Sequence, residues 1–214
     1  MSNNAIDWVV EKLATRDDIK VVGRTTEGFL IVKSKADYSF SVAVLGKKNL
    51  IEQADVTPLF ASVTKPQFVM NVPSKTLWSG AAIDYIHASS AAFGTLGDVS
   101  RAAATKDAGS FRDEGMGFFI NAIKQHSKVS SVSYVYDTVF KADRQIGPSL
   151  IVAVIDAYNM SAEDVRNAKS RLGHFDIVVK SSSYGSITSQ AEAAAHSIGA
   201  KALTFRELMG HLGK

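Results

Sequence analysis

The chain has 214 residues, of which 46% are hydrophobic and 21% charged, and its formal net charge is +3 at pH 7. A chain of this length and composition can bury a hydrophobic core, which excludes an intrinsically disordered protein. The absence of cysteine excludes disulfide bonds, thiolate metal sites and a cysteine nucleophile. The positive charges are dispersed and form no basic stripe, so charge alone does not indicate a nucleic-acid-binding protein.

The sequence shows no pattern for export or membrane insertion. Residues 1–7 contain no positive segment followed by an apolar stretch. No run of residues approaches the roughly 20 apolar residues that a transmembrane helix requires. We therefore expect a cytoplasmic protein with no membrane partner.

Apolar periodicity predicts two similar series of elements along the chain. In the first half, the predicted elements are a helix over Ala5–Ala14, strands at Ile19–Arg24, Phe40–Leu45 and Phe68–Val72, and a helix over Ala81–Phe93. In the second half, they are a helix that begins near Arg112–Glu114, strands at Val129–Tyr136, Leu150–Ile155 and Phe175–Val179, a helix over Ile187–Ile198, a strand at Lys201–Phe205 and a helix over Arg206–Leu212. Residues 105–110 are the candidate linker, which predicts one repeat over residues 1–104 and another over residues 105–214, packed together as one globule.

The two halves also match residue by residue. Residues 39–46 and 149–156 have the same order of apolar positions. With an offset shorter by one residue, the match continues downstream in the pairs Asp55 and Asp164, Phe68 and Ile177, His87 and His196, and Asp98 and Glu207. Such a repeat indicates one supersecondary unit that occurs twice. The predicted fold class is α/β, an internally duplicated three-layer unit with mixed central sheets, in which the halves form a pseudo-dimer.

Several local signals place the elements of this unit. Phe40–Leu45 and Leu150–Ile155 are apolar at nearly every position, which is typical of central strands covered on both faces. Gly28 in the first half and Gly147 in the second predict the turns that lead into these strands. Ser161 is a predicted N-cap for the helix that follows the second central strand.

The order of elements in each half, with a helix, a strand meander, a helix, a strand and a helix, resembles the core of the restriction-endonuclease-like superfamily. The second half is similar to the Mrr-like members in the layout of Tyr184–Thr188, the following alanines and the segment Leu203–Leu208. The catalytic signature of this superfamily is PD-(D/E)xK. The resemblance implies that two carboxylates hold Mg²⁺ or Mn²⁺, which polarises a phosphodiester and activates water, while a lysine assists. It also implies duplex DNA as a partner.

The resemblance assigns candidate residues in the second half. Asp156 stands at the end of the central strand, where the superfamily places its second acid, and the first acid is Asp137 or, as an alternative, Asp143. Tyr158 stands where the signature has lysine, and Lys180 at the end of the next strand is the candidate replacement. The implied catalytic residues are therefore Asp137, Asp156 and Lys180, with Asp137 and Asp156 as metal ligands. In the first half Gly46 matches Asp156, so we expect no metal site there.

A second candidate site is independent of the resemblance. The segment from Lys180 to Thr188 links an apolar strand to a helix and is rich in small polar residues. Backbone amides, hydroxyls and a lysine at a helix start favour an anion such as phosphate. The candidate phosphate-binding residues are Ser181, Ser182, Ser183, Gly185 and Thr188. In the alternative interpretation, these side chains only cap the helix.

The sequence contains no Walker A loop, no G-x-G-x-x-G, no H-E-x-x-H and no G-x-S-x-G, which disfavours the enzymes that carry those motifs. Three functions stay open. The favoured one is a nucleic-acid-binding or processing protein, in particular a metal-dependent phosphodiesterase with a degenerate first repeat. The alternatives are a non-catalytic assembly protein that forms a homo-oligomer or binds a protein partner, and a binder of a small phosphorylated ligand.

Overall fold

The computed structural model describes residues 3–213, and the side chains of residues 4–213. The chain divides into two compact units, Met1–Asp113 (unit 1) and Glu114–Lys214 (unit 2). Residues 105–110, the predicted linker, belong to unit 1, where Ala108 is buried and its N–H donates to the Tyr38 hydroxyl at 2.9 Å. No helix within residues 3–213 combines the length and the apolar composition needed to cross a membrane.

Unit 1 contains one main sheet and one short parallel strand pair. Its helices and strands are α1 Asn3–Ala14, β1 Ile19–Arg24, β2 Leu30–Ser34, β3 Ser39–Val44, β4 Leu50–Ile51, α2 Gln53–Val56, β5 Phe68–Met70, β6 Leu77–Trp78, α3 Gly80–Ala88, β7 Ala92–Gly94 and α4 Leu96–Ala104, with 3-10 helices at Thr57–Phe60 and Ala108–Ser110. The main sheet has the order β1-β2-β3-β5-β7. β1, β2 and β3 pair antiparallel, whereas β3, β5 and β7 pair parallel. β4 and β6 form the separate pair.

Unit 2 contains a sheet of the same layout. Its elements are α5 Glu114–Lys124, β8 Val129–Tyr136, β9 Val139–Arg144, β10 Leu150–Ile155, α6 Ala162–Leu172, β11 Ile177–Lys180, α7 Ser189–Ser197, β12 Lys201–Thr204 and α8 Phe205–Leu212. The strand order is β8-β9-β10-β11-β12. β8, β9 and β10 pair antiparallel, whereas β10, β11 and β12 pair parallel. An isolated parallel bridge between Met160 and Ile187 stands where unit 1 has the β4–β6 pair.

The chain is thus an α/β protein with two mixed sheets of equal strand order and direction. Three consecutive residues of each central strand are buried, which are residues 42–44 in β3 and 152–154 in β10. Because successive strand residues point to opposite faces, both faces of each central strand are covered, as the apolar sequences predicted. An internal duplication would produce two sheets with the same layout. The duplication itself stays a prediction from the sequence.

Two local features of unit 1 differ from the sequence prediction. The helix expected over Ala81–Phe93 ends at Ala88, and Phe93 lies in β7. Ser90 has a φ of 57°, a left-handed conformation that a right-handed helix does not contain. Gly28 lies between β1 and β2, so the turn into β3 is formed instead around Asp37, whose φ is 65°.

The predicted N-cap at Ser161 is confirmed and gives a stability test. Ser161 Oγ accepts from the N–H of Asp164 at 3.2 Å, and Asp164 Oδ2 accepts from the N–H of Ser161 at 2.8 Å. This reciprocal capping box satisfies N–H groups that have no partner inside α6.

We expect Ser161→Ala to lower the free energy of unfolding by about 1 kcal/mol, because the cap is lost. Urea denaturation measures this loss. The control is Ser170→Ala, an exposed position in the same helix, where alanine is neutral or slightly stabilising. Equal stabilities of the two variants would contradict the capping role.

Candidate functional site

A cavity of about 530 Å³ lies within unit 2, at the carboxyl ends of β11 and β12. We call it the Lys180 pocket. Its lining residues are Phe118, Lys180, Ser181, Ser182, Ser183, Gly185, Thr204, Phe205 and Arg206. The carboxyl edge of parallel strands is where ligands bind in open α/β sheets, because the loops and helix starts that follow the strands converge there.

Lys180 is the last residue of β11 and is only 2% exposed. Its Nζ donates to the backbone carbonyls of Ser182 and Tyr184. Among the described residues, no carboxylate forms an ion pair with it. An ammonium group has three donors, so two are used and one is left. The buried positive charge is therefore hydrogen-bonded but not neutralised.

The loop after Lys180 offers further donors. Within the part of the chain that the structure describes, the backbone N–H groups of Ser182, Ser183 and Gly185 have no acceptor. The Ser183 hydroxyl likewise has no hydrogen-bond partner there, and this residue is exposed. Successive unpaired N–H groups in a turn make an anion-binding concavity. The loop therefore presents donors to the same pocket as Lys180.

Positive charge predominates in the lining. Lys180 and Arg206 are its two cationic residues, and none of the lining residues is acidic. Arg206 is exposed and, among the described residues, has no ion pair.

The start of α8 is already capped, since the N–H and hydroxyl of Thr204 both donate to Glu207 Oε2 at 2.8 Å. These two hydrogen bonds lower the pKa of Glu207 below its ordinary value.

The predicted phosphate-binding residues divide into two groups. Ser181, Ser182, Ser183 and Gly185 line the Lys180 pocket. Thr188 is outside the lining and is the N-cap of α7: its Oγ1 accepts from the N–H of Ala191 at 3.1 Å and donates to the Met160 carbonyl at 3.0 Å. The capping interpretation therefore describes Thr188, whereas the other residues face the cavity.

The predicted carboxylates Asp137 and Asp156 lie at the edge of the sheet that carries the pocket. Asp156 follows β10, is exposed, and accepts a hydrogen bond from Ser181 Oγ at 3.0 Å. Asp137 is in the turn between β8 and β9, and the next carbonyl, that of Thr138, accepts from the N–H of Val154 near the end of β10 at 2.9 Å. Neither carboxylate lines the pocket. Residues 3–213 contain no cluster of three or more potential metal ligands.

Asp143, the alternative first acid, lies at the opposite edge. It accepts from Ser149 at 2.5 Å and from Ser131 at 2.7 Å, and pairs with Lys141 at 2.9 Å. These hydrogen bonds, that of Ser149 first, hold the pKa of Asp143 far below its ordinary value. Ser149 precedes β10 and Asp156 follows it, so the strand separates the two acids by about 20 Å. Asp143 therefore cannot share a metal ion with Asp156.

Unit 1 has a neutral residue where unit 2 has Lys180. In unit 1, Met70 of β5 pairs with Gly94 of β7, and Asn71 is the next residue. In unit 2, Val179 of β11 pairs with Leu203 of β12, and Lys180 is the next residue. Asn71 is 1% exposed, and its Nδ2 donates to the Lys48 carbonyl and to Thr76 Oγ1, both at 2.6 Å. The buried amide thus joins its own loop to the loop after β3 with neutral hydrogen bonds. The buried cation is a feature of unit 2.

Backbone hydrogen bonds refine the match between Gly46 and Asp156. Ser181 N–H donates to the carbonyl of Ile155, and in unit 1 the equivalent Val72 N–H donates to the carbonyl of Gly46. Gly46 therefore corresponds to Ile155, and the extra residue of unit 1 is in a bulge there, where the φ of Gly46 is 123°. The position of Asp156 is then held by Lys47, so unit 1 has no carboxylate at this point.

Sequence reasoning missed four residues of the pocket, which are Phe118, Thr204, Phe205 and Arg206. A signal was present for the last three, since they lie at the carboxyl end of β12, the strand that pairs with β11. Phe118 had no such signal because it comes from α5, at the other end of unit 2 in sequence.

Comparison with known proteins finds no matching family model, no matching curated protein and no matching solved structure. The resemblance to the restriction-endonuclease-like superfamily therefore stays a prediction from sequence pattern.

Two glycines with the same positive φ give a matched test of the loop. Gly185 has a φ of +75°, and a Cβ on it would lie 1.9 Å from the Tyr158 carbonyl oxygen. Gly199 also has a φ of +75°, and a Cβ on it would meet no atom within 4 Å. The two sites thus share a φ that alanine disfavours but differ in the steric clash.

We expect Gly199→Ala to lower the free energy of unfolding by about 1 kcal/mol, the cost of alanine at a positive φ. Gly185→Ala is expected to cost more, because the loop must also move away from Tyr158. Urea denaturation compares the two, and hydrogen exchange of the loop amides reports the displacement. Equal losses, with unchanged exchange, would show that the close approach at Gly185 is absent.

Proposed function

We propose that unit 2 binds a small phosphorylated ligand, with its phosphoryl group in the Lys180 pocket. The observation that supports this most is the lining itself, which combines Lys180, Arg206 and unpaired backbone N–H groups with no carboxylate. Ser182 is half-buried, and Ser183 and Gly185 are exposed, so their N–H groups are accessible to water and available to an anion. The pocket volume of about 530 Å³ is within the roughly 300–1,000 Å³ range of small-molecule sites.

Phosphate fits these donors better than a carboxylate does. A phosphoryl group has three strong acceptor oxygens and up to two negative charges at neutral pH. Its oxygens can accept hydrogen bonds from the Lys180 ammonium, from the N–H groups of Ser182 and Ser183, and from the guanidinium of Arg206 at the rim. A carboxylate has only two oxygens and would leave more of these donors unpaired.

The Lys180 side chain is buried and held by two hydrogen bonds before any anion binds. An ammonium group loses most of its hydration when it is buried, and two carbonyl oxygens replace only part of it. A phosphate completes the coordination without a change of the strand that carries Lys180. The ligand therefore gains a charge-assisted hydrogen bond to a side chain that is already immobilised.

We expect inorganic phosphate to raise the melting temperature of the full chain and Lys180→Met to weaken phosphate binding at least tenfold, since a hydrogen bond to a charged group contributes about 1.5–3 kcal/mol. Isothermal titration calorimetry measures the affinity. The control is Lys201→Met, which removes an exposed lysine from the opposite end of neighbouring strand β12. Because Lys180 is buried, Arg206→Ala at the exposed rim is a second variant, expected to weaken binding without lowering the stability of the free protein. Unchanged phosphate affinity in both variants would refute the proposal.

A second candidate, metal-dependent cleavage of a DNA phosphodiester, is favoured by one observation. Asp137 and Asp156 lie at the same sheet edge as Lys180, and Asp156 accepts a hydrogen bond from Ser181, a residue of the pocket lining. Mg²⁺ is commonly held by one or two carboxylates together with water and substrate phosphate, and this donor set fits such an ion. When bound, the ion would polarise the phosphodiester.

We expect Mn²⁺ to raise the melting temperature if this second function is present, and Asp156→Asn to abolish the shift. The control is Glu192→Gln, which neutralises an exposed carboxylate on α7. Nicking of supercoiled duplex DNA in Mn²⁺ would follow the same pattern. The absence of any Mn²⁺ response refutes this candidate and leaves the phosphate site unaffected. If phosphate also has no effect, a non-catalytic assembly function is the remaining proposal, and light scattering would test for a homo-oligomer.

A further inference from the structure

An exposed aromatic side chain forms one wall of the Lys180 pocket. Phe118 on α5 is 57% exposed and belongs to the lining, together with Phe205 at the start of α8. The ring centroids of the two phenylalanines are 5.0 Å apart. The two rings together form an apolar surface beside the cavity that is available for contact with a ligand.

The aromatic wall is fixed from behind. The Phe205 ring packs edge-on against Phe119, with centroids 5.2 Å apart, and Phe119 is buried. Phe118 also contacts Phe119 edge-on at 6.0 Å. These contacts hold Phe205 between two rings and fix its orientation. A rigid aromatic surface binds a planar ring with little loss of side-chain entropy.

The pocket thus joins two chemistries, donors for an anion at the Lys180 loop and an aromatic surface at Phe118 and Phe205. We infer that its ligand is a mononucleotide, with the phosphate at Lys180 and the base against Phe118; this inference rests on the proposed phosphate-binding function. Stacking of a base on an aromatic side chain needs no matching hydrogen bonds, since every base has a π-face.

A sugar phosphate or an aliphatic phosphate makes fewer favourable contacts with this lining. Neither ligand has a planar apolar group to cover Phe118 and Phe205, whose rings would stay in contact with water. A planar apolar face therefore matches the aromatic wall, and the phosphate matches the loop.

Three residues of the Lys180 pocket differ from the matching positions of unit 1. The helix after the last strand begins with Phe205 and Arg206 in unit 2, but with Leu96 and Gly97 in unit 1. Asn71 replaces Lys180, as described above. The position of Phe118 in α5 is aromatic in both units, since α1 has Trp8 there. The cation, Phe205 and the rim arginine are thus particular to unit 2.

The test compares AMP, ribose 5-phosphate, adenosine and inorganic phosphate by isothermal titration calorimetry on the full chain. We expect AMP to bind about tenfold tighter than ribose 5-phosphate, because only AMP adds a stacked base. Phe118→Ala is expected to reduce AMP to the affinity of ribose 5-phosphate while the affinity for inorganic phosphate stays the same. Lys180→Met or Arg206→Ala is expected to weaken every phosphorylated probe and leave adenosine unchanged.

Tyr158→Ala is the matched control, since Tyr158 is 68% exposed in the same unit but outside the lining. Phe118 is itself exposed, so its removal leaves the core intact and a loss of AMP binding reports on the pocket. Equal affinities for AMP and ribose 5-phosphate, or an AMP affinity that Phe118→Ala does not change, overturn the nucleotide assignment and leave the phosphate site standing. Binding of a single-stranded oligonucleotide without binding of AMP overturns it as well. Failure of all phosphorylated probes to bind overturns both proposals.

Discussion

The burial of the Lys180 ammonium at the end of a strand is the constraint on which the candidate site depends. A charge removed from water needs acceptors around it, and the only ones supplied by the following loop are the carbonyls of Ser182 and Tyr184. Turning these carbonyls towards Nζ curls the loop over the strand end. The same turn leaves the N–H groups of Ser182 and Ser183 without acceptors among the described residues. One buried charge thus accounts for both the shape of the loop and its excess of donors.

The two units show that the sheet itself does not require this charge. Both sheets are held by apolar central strands that are covered on both faces. Both also place a buried polar residue at the carboxyl end of the next strand, Asn71 directly after β5 and Lys180 as the last residue of β11. An amide has both donors and an acceptor, and Asn71 uses them to join its own loop to Lys48 in the loop after β3. An ammonium group has donors only, and Lys180 donates to two carbonyls of its own loop. At this position unit 1 therefore has a neutral amide, and unit 2 has a buried cation.

The local sequence pattern predicted several strands correctly but missed one strand and one turn. The strands Ile19–Arg24, Val129–Tyr136 and Leu150–Ile155 begin and end where the apolar and β-branched pattern predicted. β7 was missed because three residues, Ala92–Gly94, are too few to show a period, and the preceding alanine-rich helix masked its start. The turn into β3 was missed because Asp37, not a glycine, adopts the left-handed conformation there. In each case the tertiary pairing overrode a local preference.

The sequence by itself determined the α/β class, the two central strands, the N-cap at Ser161 and the donor-rich loop after Lys180, because each depends on neighbouring residues. Only the tertiary structure decided which distant residues join that loop. Phe118 and Arg206 reach the Lys180 pocket, and Asp143 is separated from Asp156, because strand order and direction set the edge at which each loop emerges. That order is set by the packing of whole strands and helices, and no local run of residues encodes it.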